Sequence, residues 1–323
     1  MKNPLNERRQ IDDGIIARAQ GCLLGQLAGD ALGSLVEFQG PEQIRKKYPN
    51  GVRDLIDGGT WGTLAGQPTD DSEMALMLAR MLVDRGTYNR QTALEAYLYW
   101  LKSGPFDCGA TIGQALQGNL KIDSQANGAM MRISPLGIFG ANFSLEQVAV
   151  WARQDAALTH PHPICLQANA LFAMAIAYAI RMGCGALDIF QQIDLWAKSM
   201  NAEEKLLEVI TGSVTKPPAD YIHQQGWVLT AFQNTLWQLL HTQSLEEGVI
   251  DTVMQGGDTD TNAAICGALL GAVYGCEAIP KRWIDCLLNC RPEAGRLSVR
   301  RPRPKCFWPV DALILAEKLV MKN

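Results

Sequence analysis

Two acidic clusters, far apart in the chain, carry the side chains best suited to chemistry. The first, Thr69-Asp70-Asp71-Ser72-Glu73, follows Gly66-Gln67-Pro68 and precedes the apolar-periodic residues 74–79. A proline, a polar run and then helical periodicity predict a loop feeding a helix, which puts these carboxylates at a helix N-terminus. Asp70 and Glu73 also fit a D-x-x-E capping box, and acids in a first turn complement the helix dipole, so this cluster alone has an ordinary structural explanation. The second cluster, Gly256-Gly257-Asp258-Thr259-Asp260-Thr261, precedes Asn262 and a glycine-striped helix. The double glycine permits a sharp turn, and Asp258 and Asp260 converge only in turn or extended geometry before the helix starts. A cap needs one such acid, not two.

Both clusters offer carboxylate and hydroxyl oxygens, the ligands that hard divalent cations take. If Asp70, Asp71, Asp258 and Asp260 converge, four negative charges share one pocket. Each pair at about 4 Å then repels by about 4 kcal/mol at an effective dielectric of about 20. Two divalent cations would cancel that charge. Mg²⁺ or Mn²⁺ suits all-oxygen ligation, whereas zinc usually brings His or Cys, and no such group adjoins these acids. The residues by themselves therefore point to metal-assisted hydrolysis, with no substrate named.

The elements that must position these groups read as helices throughout, so the fold class is all-α. Helical periodicity covers 12–34, 71–85, 91–102, 110–118, 145–156, 164–182, 186–199, 226–241, 245–254, 261–275, 280–289 and 309–321. Loops are short, no segment has linker composition and no repeat is visible, which favours one compact domain over 1–323. Gly21, Gly25, Gly29 and Gly33 recur every fourth residue, as do Gly267, Gly271 and Gly275. Each stripe lies on one helical face and predicts a close helix crossing, since interior glycine otherwise costs about 0.5–1 kcal/mol relative to alanine. Whether the two stripes meet each other is left open. The segment 291–305 holds Arg291, Arg296, Arg300, Arg301, Arg303 and Lys305 among three prolines. It reads as a basic, proline-rich solvated loop, with contact to an anionic ligand or partner as the alternative.

Composition bounds the function. The 323 residues are 47% hydrophobic and 19% charged, with a net charge of −4, which opposes coating of nucleic acid or of an acidic membrane. Nine cysteines without a C-x-x-C pair suggest neither a zinc ribbon nor a disulfide framework and read as reduced and mostly buried. Residues 1–13 form a polar extension unlike a signal peptide, and the apolar runs 170–180 and 263–276 fall short of the ~20 residues of a span. The expectation is a cytoplasmic chain.

The run Gly21-Cys22-Leu23-Leu24-Gly25 through Gly29-Asp30-Ala31-Leu32-Gly33-Ser34 to Glu37, the T-D-D-S at 69–72 and the G-G-D-T-D-T-N at 256–262 resemble the ADP-ribosylglycohydrolase family. Asn127-Gly128-Ala129-Met130, Thr159-His160 and Gly226-Trp227-Val228 follow the family's order, and the resemblance spans about 15–290. It implies a single orthogonal multi-helix domain, two Mg²⁺ or Mn²⁺ ions and removal of ADP-ribose from arginine, serine or small molecules. Carried over by residue, it implies Thr69, Asp70, Asp71, Asp258, Asp260 and Thr261 as metal ligands. Glu37 matches a position that lies on a mobile flap near the metals in some members. Asp107 looks like the acid beside the scissile bond in arginine-directed relatives, and with Glu37 and Asp258 completes the catalytic assignment. Backbone at Asn127 and Gly128 and the His160 side chain look like ADP-ribose contacts. Trp227 stands where relatives often carry Tyr; it keeps a flat face and lacks the hydroxyl.

Each of these has a plain alternative. His160 could be a loop histidine satisfied by backbone, Asn127-Gly128 a turn, Trp227 the core-facing start of an apolar helix, and Asp107 a cap for the helix near Gly109. The functional expectation is cleavage of an ADP-ribosyl bond, first of all to arginine on protein. An antitoxin that binds or reverses an ADP-ribosyltransferase, and a metal-dependent phosphohydrolase, are the rival readings.

Overall fold

A computed structural model describes residues 12–321. Among them no β-strand forms, and the extended pairings are the isolated antiparallel bridges Gly58–Thr63 and Ala126–Trp227. The helices are α1 (Asp13–Gly33), α2 (Pro41–Lys47), α3 (Asp70–Arg85), α4 (Arg90–Lys102), α5 (Ala110–Leu116), α6 (Ser134–Gly140), α7 (Leu145–Ala156) and α8 (Pro163–Met182). They continue with α9 (Ala186–Ser199), α10 (Glu204–Gly212), α11 (Val228–His241), α12 (Leu245–Met254), α13 (Thr259–Tyr274), α14 (Lys281–Asn289) and α15 (Ala312–Val320). A 3₁₀ turn runs over Asn127–Arg132.

The all-α expectation holds, with three helices unanticipated. α2, α6 and α10 have only seven to nine residues, too few turns for a periodic pattern to emerge. Of the expected N-terminal extension, residues 1–11 lie outside the described residues. Asp12 and Asp13 belong to α1: Asp12 is its N-cap and accepts from Gly14 N–H at 3.0 Å. Trp227 is the extended N-cap of α11, so that helix starts two residues later than its periodicity suggests.

The core is built around α1 and α13. From Gly21 to Gly33 every residue of α1 is buried, as is every residue of α13 from Thr259 to Ala272. A helix apolar or small on all sides can only be internal. The two glycine stripes face each other in antiparallel fashion. A Cβ on Gly25 would strike the Gly267 carbonyl, one on Gly271 the Gly21 carbonyl, and one on Gly29 that of Ala263. Glycine is thus required by close backbone approach, and the seam ends where Gly33 meets Asp260. α8 is long and apolar enough to cross a membrane by length and composition, and 78% of its apolar window is buried inside the fold. The nine cysteines are unpaired, and four of them (Cys22, Cys165, Cys266, Cys290) are buried while five are half-buried, fewer than composition suggested.

The segment 291–305 is mostly exposed, as its composition predicts, and Arg303 is the departure. Arg303 is only 6% exposed and forms a two-bonded ion pair with buried Glu73, at 2.7 Å for each bond. It also donates to the carbonyls of Ser103 and Gly104. Gln67 Nε2 donates to the Arg301 carbonyl and Arg301 Nε to the Trp61 carbonyl. The segment is a strap tied to the loop before α3 and to the loop before α5.

Candidate metal centre

The first turn of α3 lacks its own cap. Thr69 is the N-cap and Asp70 the first helical residue, so the Asp70–Glu73 capping box does not form, and Glu73 instead binds Arg303 and the Trp100 indole. Its place is taken by Asp30 of α1, whose carboxylate accepts from the backbone N–H of Thr69 and Ser72 and from the Thr69 hydroxyl at 2.9–3.2 Å. A helix end capped by a carboxylate from another helix locks α3 against α1. The acid-bearing loop before α13 is held by positive-φ Gly256 and Gly257, by Phe38 N–H donating to the Gly257 carbonyl and Gly257 N–H to the Gln39 carbonyl, and by Thr259 Oγ1 donating to the Gly33 carbonyl.

The glycine seam then delivers Asp260 to Asp30. One oxygen each of Asp30, Asp71 and Asp260 lie within 4.8 Å of one another, and so do oxygens of Glu37, Asp258 and Asp260. Two triads therefore share Asp260. Asp71 Oδ1 and Asp260 Oδ2 are buried with no hydrogen-bond partner, an arrangement that costs free energy unless a cation or proton sits there. An all-oxygen donor set with orphaned carboxylate atoms fits a pair of hard cations.

The electrostatics agree. Burial, and then the neighbouring carboxylates, push Asp71 and Asp260 well above the usual carboxylate range. Asp70 and Asp258 are raised chiefly by burial, against hydrogen bonds from Gly109 N–H and Asn127 Nδ2. Asp30 is pushed up to about 6 by burial. Glu37 rises to about 8 and Asp107 to about 10, from burial first and then repulsion by Asp258 and by Asp70, respectively. Such a cluster is built to hold positive charge.

The positions singled out in the sequence fall as follows. Asp71, Asp258 and Asp260 converge, and Glu37, expected on a flap, joins the second triad with Trp61 Nε1 donating to its Oε2 at 2.5 Å. Thr69 Oγ1 bridges Asp30 and Asp71, and Thr261 N–H donates to Asp260 Oδ1 at 2.9 Å. Asp70 stands outside both triads; its Oδ2 accepts from Gly109 N–H at 3.0 Å and it adjoins half-buried Asp107. Asp107 does not cap α5, whose N-cap is Gly109. Asn127 donates to Asp258 Oδ2 at 2.8 Å, and its N–H binds the Gly226 carbonyl, which brings Trp227 alongside; Trp227 is half-buried with its indole N–H on Gln125. Gly128 abuts His160, 3.1 Å from its Cε1 to where a Cβ would stand. His160 is fully buried and held neutral, its pKa lowered to about 3 by burial and the Arg132 charge. Its Nδ1 contacts Thr159 Oγ1 at 2.8 Å, and its Nε2 has no partner, so it is not a loop histidine satisfied by backbone.

Sequence reasoning missed four participants. Asp30 carries its signal in the D of the first glycine stripe, where only a buried partner explains an acid. Arg132 is fully buried, paired with Asp155, and donates to the Gly128 carbonyl and to Thr159, fixing the ground behind His160. Trp61 and Phe38 left no periodic signal. Phe38 is 61% exposed with φ of 64°, a left-handed conformation that L side chains rarely adopt, directly after Glu37.

Fold and site together define a class: an all-helical protein built round a buried oxygen cluster able to hold cations. The family model described as ADP-ribosylglycohydrolase matches residues 12–316, and the chain belongs to that family. It is 32% identical over 281 residues to the Rhodospirillum rubrum glycohydrolase named for ADP-ribosyl-dinitrogen reductase, covering 83% of this chain and 89% of that one. It is 26% identical over 289 residues to an ADP-ribosylarginine hydrolase of Serratia proteamaculans (strain 568), covering 84% and 75%. A solved structure titled ADP-ribosylglycohydrolase-related protein complex superposes with a TM-score of 0.79 at 26% identity, over 97% of this chain and 100% of that one.

Proposed function

We propose that the protein hydrolyses the glycosidic bond between ADP-ribose and an arginine side chain, releasing free ADP-ribose and the unmodified guanidinium. Two oxygen triads sharing Asp260, each with a buried unpaired carboxylate oxygen, carry this reading. Mg²⁺ or Mn²⁺, held by Asp30, Asp71 and Asp260 and by Glu37, Asp258 and Asp260, would supply Lewis-acid polarisation of ribose hydroxyls and water. Thr69 and Thr261 orient those carboxylates. Asn127 holds Asp258 in place. The His160 Nε2 and the Gly128 backbone offer polar contacts to the ADP-ribose moiety, and Trp227 offers a flat edge. Asp107, beside Asp70 and outside the triads, holds the leaving guanidinium or its proton as the bond to the anomeric carbon breaks. Asp107 beside the centre and the arginine-directed relative support this choice of acceptor. The unpaired cysteines support a reducing, cytoplasmic setting.

Chromatography of products from arginine- and serine-linked ADP-ribosyl substrates, with and without chelator, tests the proposal. Chelator-sensitive free ADP-ribose from the arginine substrate is expected. Release from serine alone would reject the acceptor, and AMP with ribose phosphate would indicate pyrophosphate cleavage. Asp258→Ala is expected to abolish turnover with helicity retained.

A further inference from the structure

The basic strap 291–305 is larger than its anchoring requires. Arg303 is consumed by Glu73, but Arg296, Arg300, Arg301 and Lys305 are exposed. Among the described residues neither Arg300 nor Arg301 nor Lys305 forms an ion pair, and Arg296 meets Glu293 only at 3.3 Å, half-exposed. This concentration of positive charge sits on a chain whose net charge is −4. Its location matters more than its size. Arg301 Nε donates to the Trp61 carbonyl at 2.9 Å and its guanidinium stands over the Phe106 ring at 5.8 Å; Trp61 and Phe106 are 6.1 Å apart. Trp61 holds Glu37, and Phe106 precedes Asp107. The Arg300 side chain lies against Gly62, 3.5 Å from where its Cβ would stand. The strap thus rims the centre on the side of Asp107, where the leaving group departs.

We infer that the strap is a docking surface for the protein that carries the modification, selecting acidic residues around the modified arginine. The inference deepens the function proposed above and rests on it for the identity of the substrate. A macromolecule presenting its arginine to Asp107 must pass Trp61 and Phe106 and so lie along Arg300, and unpaired surface cations there favour a carboxylate-rich neighbourhood. A free ADP-ribosylated amino acid has no flanking carboxylates to meet the strap, so it feels only the general attraction for its pyrophosphate that all three substrates share.

The test compares free ADP-ribosylarginine with ADP-ribosylarginine peptides flanked by Asp and Glu or by Ser and Gly, using the full chain and the double variant Arg296→Ser, Arg300→Ser. Wild type is expected to prefer the acidic peptide by about tenfold in kcat/KM at about 50 mM salt, with the preference collapsing at about 300 mM. The double variant loses most of that preference while free ADP-ribosylarginine turns over within about twofold of wild type. Equal losses on all three substrates, or no acidic preference in wild type, overturn the inference. Fluorescence anisotropy with the unmodified acidic and neutral peptides gives a readout independent of turnover. If wild type cleaves nothing yet binds the acidic peptide through Arg296 and Arg300, the docking surface stands and the proposed reaction falls. An oligonucleotide that binds the strap more tightly than the acidic peptide assigns the surface to nucleic acid and overturns the inference.

Discussion

Asp260 belongs to both oxygen triads, so its surroundings decide how the centre behaves without cations. Burial and repulsion hold Glu37 at about 8 and Asp107 at about 10, while carboxylates of an unfolded chain titrate near 4. Between those values the folded, cation-free protein holds more protons on these groups than the unfolded one, so their contribution to stability is full below about pH 4 and is lost as pH rises through the folded pKa values. His160, lowered to about 3, opposes this only up to its unfolded value near 6.5. The window clear of both His160 and the thiols, which burial also raises and which ionise near 8.5 in an unfolded chain, is therefore about pH 7 to 8. In chelator the melting temperature is expected to fall across that window, and Mg²⁺ or Mn²⁺ is expected to restore more at about pH 8 than at about pH 7. A cation-free melting temperature that rises with pH there would show that the carboxylates are not under mutual strain. At this scale the sequence was legible where acids come in clusters, as at 69–73 and 258–261. It was opaque where a single acid acts alone. Asp30 is one carboxylate in a glycine-rich helix, and only the fold shows that it caps α3.

Elements set the distances that residues exploit. The glycine stripes announced a tight crossing, but a stripe cannot name its partner, and only tertiary structure matches Gly25 with Gly267. Because the obstructing atoms there are backbone carbonyls, an added methyl cannot be absorbed by a side-chain rotation. Gly267→Ala is expected to cost at least about 1–3 kcal/mol in denaturant unfolding, and to weaken Mn²⁺ binding by shifting Asp260 from Asp30. Gly212→Ala, whose Cβ would find its nearest neighbour at 3.6 Å, serves as the control and is expected to be neutral or slightly stabilising. The strap gives a second case. Proline and arginine content correctly excluded a helix there, yet the buried pairing of Arg303 with Glu73 depends on an acid more than two hundred residues away. Removing one partner strands the other charge in the interior, so Arg303→Met is expected to cost about 3–5 kcal/mol, measured by urea unfolding. A cost below about 1 kcal/mol would make the strap an ornament of the surface.

At the scale of the whole molecule, the site is assembled from both ends of the chain. α1 supplies Asp30 and, just beyond it, Glu37; α3 supplies Asp71; α13 supplies Asp258 at its N-cap and Asp260 in its first turn; and the strap beyond α14 pins α3. None of these parts can hold its carboxylates in place without the others, because α13 is buried against α1 and α3 is capped by α1. We therefore read residues 12–321 as one cooperative domain rather than two. Far-UV circular dichroism and tryptophan fluorescence are expected to report one coincident thermal transition, since Trp100 and Trp283 are fully buried in different parts of the core. Cation at about 100 times its dissociation constant should move that whole transition, adding about 2.7 kcal/mol. A metal-sensitive transition separate from a metal-insensitive one would mean that the carboxylate centre and the remaining helices fold as distinct units. The common core through which α1 and α13 align the acids would then not be what holds the centre together.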